Sequence, residues 1–185
     1  MKIDEVSQDV LLINLDVYED SRGFFLESYN KMSLKKHNIN IDFLQDNTSF
    51  SKNKNTIRGL HFQREPFSQS KLISVLKGSI FDVFIDVRPD SDNFGIYKSI
   101  ILDHPGKALL MPKGFIHGFC TLEDNTIVNY KVDNEYNINS ETGVIWNDCS
   151  LDISWPLDGD LPTVSKKDEN LLSWNSFKDD LKKNG

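Results

Sequence analysis

Short runs rich in Val, Ile, Leu, Phe and Tyr recur along this chain, with turn residues between them. Val10 to Leu15, Gly23 to Tyr29, Thr56 to Phe62, Lys71 to Leu76, Ser79 to Val87, Ile96 to Leu102 and Thr126 to Val132 each have the length and residue types of a β-strand. Breakers sit at Lys77-Gly78, at Pro89 to Asn93, at His104 to Gly106 and at Glu123 to Asn125, where hairpins would need them. Helix signals are confined to Lys31 to Lys36 and to the region after Ser165. The pattern predicts an all-β sandwich or barrel with a few short helices, one of them near the C-terminus. No repeat, linker or low-complexity tract interrupts it, so residues 1–185 are expected to form a single domain.

Alternation along a strand also says which side chains share a face. Tyr130 falls on the same face as Val128 and Val132, and Lys71 on the same face as Ile73 and Val75. A phenol and an amine pointing into an apolar interior need partners or a purpose. The alternative for both is a strand end that reaches solvent.

Composition narrows the function. The 185 residues include 21 Lys and Arg against 28 Asp and Glu, giving a net charge of -7. Such a field opposes binding to nucleic acid or to an anionic membrane. An anionic ligand would need a local cationic pocket, and two of the four arginines, Arg58 and Arg64, bracket His61. Cys120 and Cys149 are too few for a disulfide framework and lack metal-site spacing, which makes them small core or boundary residues. The N-terminal residues carry early acids and no apolar signal segment, and no run is long enough to span a membrane. A cytoplasmic protein is expected.

The stretch from Gly106 through Pro112 and Gly114 to His117 has the spacing of the second motif of the cupin superfamily. Metal-binding cupins also carry a His-x-His pair. This chain has none, and its strand Phe81 to Asp86 offers only carboxylates, so a metal site is under-supplied with ligands. His117 otherwise reads as a hydrogen-bonded histidine lining a barrel.

A more specific set of motifs runs almost from end to end. It comprises Asp20-Ser21-Arg22-Gly23-Phe24-Phe25-Leu26-Glu27-Ser28, Gln45-Asp46-Asn47, Arg58-Gly59-Leu60-His61-Phe62-Gln63, Gln69-Ser70-Lys71-Leu72 and Pro112 to Phe119. Trp146-Asn147-Asp148, Ile153 to Pro156 and Ser165-Lys166-Lys167-Asp168 continue it. In order and spacing these resemble the dTDP-4-dehydrorhamnose 3,5-epimerase family. The resemblance implies a cupin-type jelly-roll barrel that uses no metal and no other cofactor. It also implies a homodimer with a shared active site, acting on a nucleotide-diphosphate sugar with a 4-keto-6-deoxy ring.

Carried over by position, the resemblance makes His61 the base, Asp168 its dyad partner, Tyr130 the opposing acid and Lys71 the cation near the C4 oxygen. It adds Arg58, Gln45, Asn47, His117 and Tyr136 to the substrate site. Arg22, Phe25 and Glu27 would reach in from the neighbouring subunit. The chemistry fits those types: a C–H beside a ketone becomes acidic when a cation stabilises the enolate, and inversion needs a second proton donor on the other face. An Arg fork suits a diphosphate.

Other readings remain open on the residues alone. Ser165 and Asp168 have the spacing of a helix-capping box. His61 serves equally as a satisfied barrel histidine, and Tyr130 as core. The same fold also hosts 3-only epimerases, sugar-nucleotide ketoisomerases, metal-dependent cupins and non-catalytic sugar-binding jelly rolls.

Overall fold

The computed structural model describes residues 1–184 and begins with a hairpin of β1 (Lys2–Ser7) and β2 (Val10–Asn14), followed by a second hairpin of β3 (Val17–Asp20) and β4 (Gly23–Leu26). Helix α1 (Lys31–Lys36) comes next, with Asn30 Oδ1 accepting from the Met32 and Ser33 N–H groups at its start. Then follow β5 (Gln45–Ser51), β6 (Ile57–Gln63), β7 (Lys71–Lys77), β8 (Ile80–Asp86), β9 (Tyr97–Leu102), β10 (Lys107–Met111), β11 (Phe115–Thr121), β12 (Thr126–Val132) and β13 (Glu141–Gly143). The chain ends in a 3₁₀ turn (Asp168–Asn170) and helix α2 (Trp174–Asn184).

The strands form two antiparallel sheets, ordered β1-β2-β10-β7-β12-β5 and β13-β6-β11-β8-β9, with β3-β4 as a separate two-stranded piece. This is the expected all-β jelly roll. Of the four turns expected to close hairpins, only Pro89 to Asn93 joins paired strands, β8 and β9. The turns at Gly78, at His104 to Gly106 and at Glu123 to Asn125 carry the chain from one sheet to the other. Gly78, at φ +80, permits such a corner where its Cα packs on Thr126. No helix among the described residues is long and apolar enough to cross a membrane.

Alternation sorts the apolar residues into three clusters. Ile73, Val75, Phe84, Leu109, Phe115, Phe119 and Val128 fill the space between the sheets, with Tyr130 packed against them. Leu34 of α1 covers the outer face of the first sheet through Ile13, Leu72, Ala108 and Leu110. Trp174 and Phe177 of α2 cover the outer face of the second through Leu60, Phe62, Val83, Ile85 and Ile116. Phe177 is fully buried, with Phe62 edge-on at 5.7 Å and Trp174 stacked at 5.9 Å. Burying one such ring contributes about 1.5–3 kcal/mol.

The helix expected after Ser165 starts later than its signals suggest. Leu172 first bridges to Val144 in extended form, with Ile145 N–H donating to its carbonyl at 2.8 Å. Ser173 then caps α2, its Oγ accepting from Ser176 N–H. Cys120 is buried as expected, but Cys149 is exposed because it lies in the turn around Asp148 to Leu151. Arg64 points to α2, where it pairs with Asp180 at 2.5 Å, so only one of the two arginines flanking His61 is available to a ligand beside it.

One irregularity sets up the interior. Opposite β11, β6 pairs Arg58 with Phe119 but His61 with His117, so three steps on one strand match two on the other. The extra residue is a β-bulge at Gly59, whose φ is +115. Without it, Arg58 and His61 would face opposite sides. An added Cβ at Gly59 would lie 2.7 Å from Gly118 Cα and 2.8 Å from the His117 carbonyl, both backbone atoms. Gly59→Ala is therefore expected to lower unfolding free energy by about 2–4 kcal/mol, as a clash and a strained φ combine. Urea unfolding followed by circular dichroism measures this; a loss within error of zero would mean that the bulge is compliant.

Candidate active site

The bulge aims Arg58 and His61 into a cavity of about 470 Å³ that opens between the sheets. Lys71 of β7 and Tyr130 of β12 line it from one sheet, and His61 and His117 line it from the other. Thr163 to Ser165, Lys167 and Asp168 close one side. Parallel bridges hold that C-terminal segment in place, Thr163 beside Thr56 and Leu172 beside Val144.

Asp168 adds a side-chain contact between that segment and the bulge of β6. It is 4% exposed. Its Oδ1 lies 2.9 Å from His61 Nε2, and its Oδ2 accepts from Gly59 N–H at 3.0 Å. The Asp168 N–H donates to Ser165 Oγ at 3.1 Å, so the capping interaction and the dyad coexist in one residue. Burial alone would raise the carboxyl, but the His61 and Gly59 hydrogen bonds and the His61 charge outweigh it and hold Asp168 below the ordinary range. An ionised Asp168 accepts the Nε2 hydrogen of His61 and leaves Nδ1 as the basic nitrogen.

Across the cavity, burial dominates the other groups. It pulls the Lys71 ammonium down to about 8, with Asp82 and Glu141 resisting the change. Burial pushes the Tyr130 phenol up, Arg58 opposing and Glu141 assisting. At neutral pH Tyr130 keeps its proton and Lys71 stays mainly cationic. The Arg58 guanidinium donates to Ser51 Oγ at 3.2 Å and to the Phe50 carbonyl at 2.9 Å, contacts that fix its plane without neutralising its charge.

The remaining expected residues fall into two groups. Gln45 and Asn47 lie on the same face of β5 as Ser49, which lines the cavity; Gln45 Nε2 donates to Asn47 Oδ1 at 2.7 Å, and Asn47 pairs with Tyr130 in the ladder. Tyr136 sits at the rim, half exposed, its hydroxyl donating to Glu141 Oε2 at 2.7 Å. Arg22, Phe25 and Glu27 are not brought to this cavity within one chain. Arg22 pairs with Asp20, Glu27 accepts from Asn30 Nδ2, and Phe25 is 69% exposed.

Two carboxylates were not foreseen as site residues. Glu141 accepts from Tyr136 and pairs with Lys167 at 2.6 Å, linking the rim to the segment that bears Asp168. Asp82 is fully buried behind His117, with Oδ2 at 2.8 Å from His117 Nε2. Its signal was present in the sequence: in β8 it shares the inward face with Ile80 and Phe84. Among the described residues, no three His, Cys, Asp or Glu side chains converge as a metal-binding set.

Comparison with known proteins gives a consistent result. Residues 5–176 match the sequence family described as dTDP-4-dehydrorhamnose 3,5-epimerase. The chain is 42% identical over 169 residues to the enzyme of that name from Escherichia coli K12, covering 90% of each. A crystal structure of the Bacillus anthracis enzyme with TDP and PPi bound superposes with a TM-score of 0.87 at 44% identity, over 93% of this chain and 99% of that one. The Legionella pneumophila enzyme in complex with dTDP-4-keto-L-rhamnose superposes with a TM-score of 0.90 at 36% identity, over 97% and 96%.

The depressed Asp168 carboxyl has a consequence for stability. A group whose folded value is lowered contributes stability that is fully present above its unfolded value, here 3.8, and is lost as the pH falls through the folded value. Asp168→Asn is thus expected to be less stable than the parent at pH 7, with the deficit shrinking below pH 3.8. Paired thermal melts across pH 2.5–7 (roughly the span of carboxylate titration) measure this, and a deficit independent of pH would show that the carboxylate charge is not what is lost.

Proposed function

The chain belongs to the dTDP-4-dehydrorhamnose 3,5-epimerase family, and on that premise we propose how its own residues carry out the epimerisation. The protein is an epimerase, acting on a nucleotide-linked 4-keto-6-deoxy sugar at C3 and C5. The observation that carries the assignment of residues is the convergence of the His61–Asp168 dyad, Lys71, Tyr130 and Arg58 on one cavity.

In this reading His61 Nδ1 removes the proton from a carbon adjacent to the C4 ketone. The bonding electrons move toward the C4 oxygen, and the Lys71 ammonium stabilises the enolate as charge develops there. Tyr130 then delivers its proton to the opposite face of the same carbon, which inverts it. The two groups belong to opposite sheets, so a ring held between them is approached from both sides. Asp168 stabilises the imidazolium that forms. Arg58 binds the diphosphate, and Gln45, Asn47 and Tyr136 extend the site toward the nucleotide, with a dTDP substrate favoured by the bound species in the relatives' structures.

We assign the whole chain, 1–185, to one functional unit that works as a homodimer. The β3–β4 hairpin leaves Tyr18, Phe24 and Phe25 more than half exposed, an apolar surface that a partner subunit would cover. That arrangement would deliver Arg22, Phe25 and Glu27 to the neighbour's site. A cytoplasmic setting suits the two free thiols.

Incubation with dTDP-4-dehydro-6-deoxyglucose in D2O, followed by NMR, tests the reading. Deuterium is expected at C3 and C5 with inversion. Exchange at C3 alone would make the protein a 3-epimerase, and exchange at neither carbon would remove this substrate from consideration. With Tyr130→Phe, wash-in of deuterium with retained configuration is expected to outlast net inversion. Equal losses of both would take the role of opposing acid away from Tyr130.

A further inference from the structure

The run Arg58 to Gln63 ends on a side chain that the proposed chemistry leaves unused. Gln63 is 8% exposed and follows His61 by two residues on β6, on the same face of the strand. Its amide grips the loop that carries Tyr136 on both sides of that residue. Gln63 Oε1 accepts from the Asn137 N–H at 2.7 Å, and Gln63 Nε2 donates to the Glu135 carbonyl at 3.2 Å and to the Phe67 carbonyl at 2.7 Å. Turning the amide over would set its oxygen against two carbonyls and its NH2 against an N–H, so these partners leave one orientation open.

The loop has reason to need such a clamp. Residues 135–137 lie in no helix or strand, and the Tyr136 ring is half exposed, so packing does little to fix it. Gln63 and Glu141 stand opposite each other in the β6–β13 ladder. The Tyr136 hydroxyl donates to Glu141 at 2.7 Å while Gln63 holds the backbone on either side, so one cross-strand pair secures the residue at both ends. The start of the loop is tied in the same manner, with Gln69 Nε2 donating to the Asn134 carbonyl at 2.9 Å and the Ser70 N–H to Asp133 Oδ1 at 2.6 Å. Those two residues come directly before Lys71, as Gln63 comes just after His61.

We propose that Gln63 is a positioning residue of the nucleotide end of the site: it registers the Tyr136 ring to the strand that carries Arg58 and His61, so that ring and guanidinium keep a fixed spacing. The consequence for the nucleotide rests on the place given to Tyr136 under Proposed function. The clamp itself can be measured without ligand.

The test uses Gln63→Met, which keeps the length and removes all three hydrogen bonds, and Gln63→Asn, which is one methylene shorter. Should the Met variant fail to fold, the Asn variant, which keeps a polar amide but cannot span both sides of Tyr136, carries the experiment. The first measurement is hydrogen exchange of the Asn137 amide in the full chain by NMR, expected to be faster than in the parent by about 10-fold or more. The second is the affinity for TDP by calorimetry, with epimerisation kinetics alongside. Binding is expected to weaken by about 5–30-fold, the scale of one or two net hydrogen bonds. KM should rise in step while kcat stays within about threefold of the parent. The third repeats the affinity measurement in Tyr136→Ala, where changing Gln63 should cost little more. An Asn137 exchange rate that does not change in either variant overturns the proposal. Faster exchange with full TDP affinity upholds the clamp and overturns the nucleotide role of Tyr136, so the two failures are distinguishable. An affinity loss that persists undiminished without the Tyr136 ring, or a fall in kcat as large as the rise in KM, would make Gln63 a general structural residue and also overturns the proposal.

Discussion

The Asp168 carboxylate joins the C-terminal segment to the bulge of β6, and the active-site geometry depends on that joint. One oxygen accepts the Gly59 N–H and the other faces His61. The backbone donor exists because Gly59 stands at φ +115, and the two strands approach closely there because Gly59 and Gly118 both lack a Cβ. A polar group and a charge that would be costly in isolation satisfy one another at the point where the sheet is least regular. The same bulge turns Arg58 onto the face of His61, so a local backbone irregularity assembles an imidazole and a guanidinium on one wall.

Burial then divides the labour between the walls. Desolvation favours the neutral form of each titratable group, and only those given a specific partner keep their charge. Asp168 stays ionised through His61 and Gly59, which fixes the tautomer of His61. Tyr130, buried and influenced by the Glu141 carboxylate, keeps its proton. Lys71 stands near the balance point, at about 8, because the carboxylates of Asp82 and Glu141 resist the pull of burial. One sheet thus offers the proton-bearing Lys71 and Tyr130, and the other His61. Under the proposed mechanism, a sugar held between them has no need to turn over for its configuration to change.

Strand alternation already carried much of this in the sequence. Inward-facing Tyr130 and Lys71 follow from their apolar neighbours at i±2, and the Ser165–Asp168 spacing yields one hydrogen bond of a capping box, Asp168 N–H to Ser165 Oγ, while the Asp168 carboxylate turns to His61 and Gly59 instead. The jelly roll was legible from strand spacing, but the path between sheets was not, since Gly78 serves a corner as readily as a hairpin. Strict alternation would have separated Arg58 from His61; only the glycine between them hinted at a bulge. In the sequence Asp82 reads as a candidate metal ligand of the strand Phe81 to Asp86, because strand pattern alone does not reveal its pairing with His117. Arg22, Phe25 and Glu27 do not line the cavity of the chain, because the β3–β4 hairpin that carries them, or leads to Glu27, stands apart from the two sheets that enclose it.

The proposed role of His61 as the base depends on its presentation by Asp168. Its most direct test is the rate of solvent-deuterium incorporation into a 4-keto-6-deoxy sugar nucleotide by His61→Ala, on protein shown by circular dichroism and melting to be folded. A loss of about 10²–10⁴-fold at both carbons is predicted, the range expected of a positioned general base. Exchange within a few-fold of the parent rate would contradict the account and move the base to another residue of the cavity.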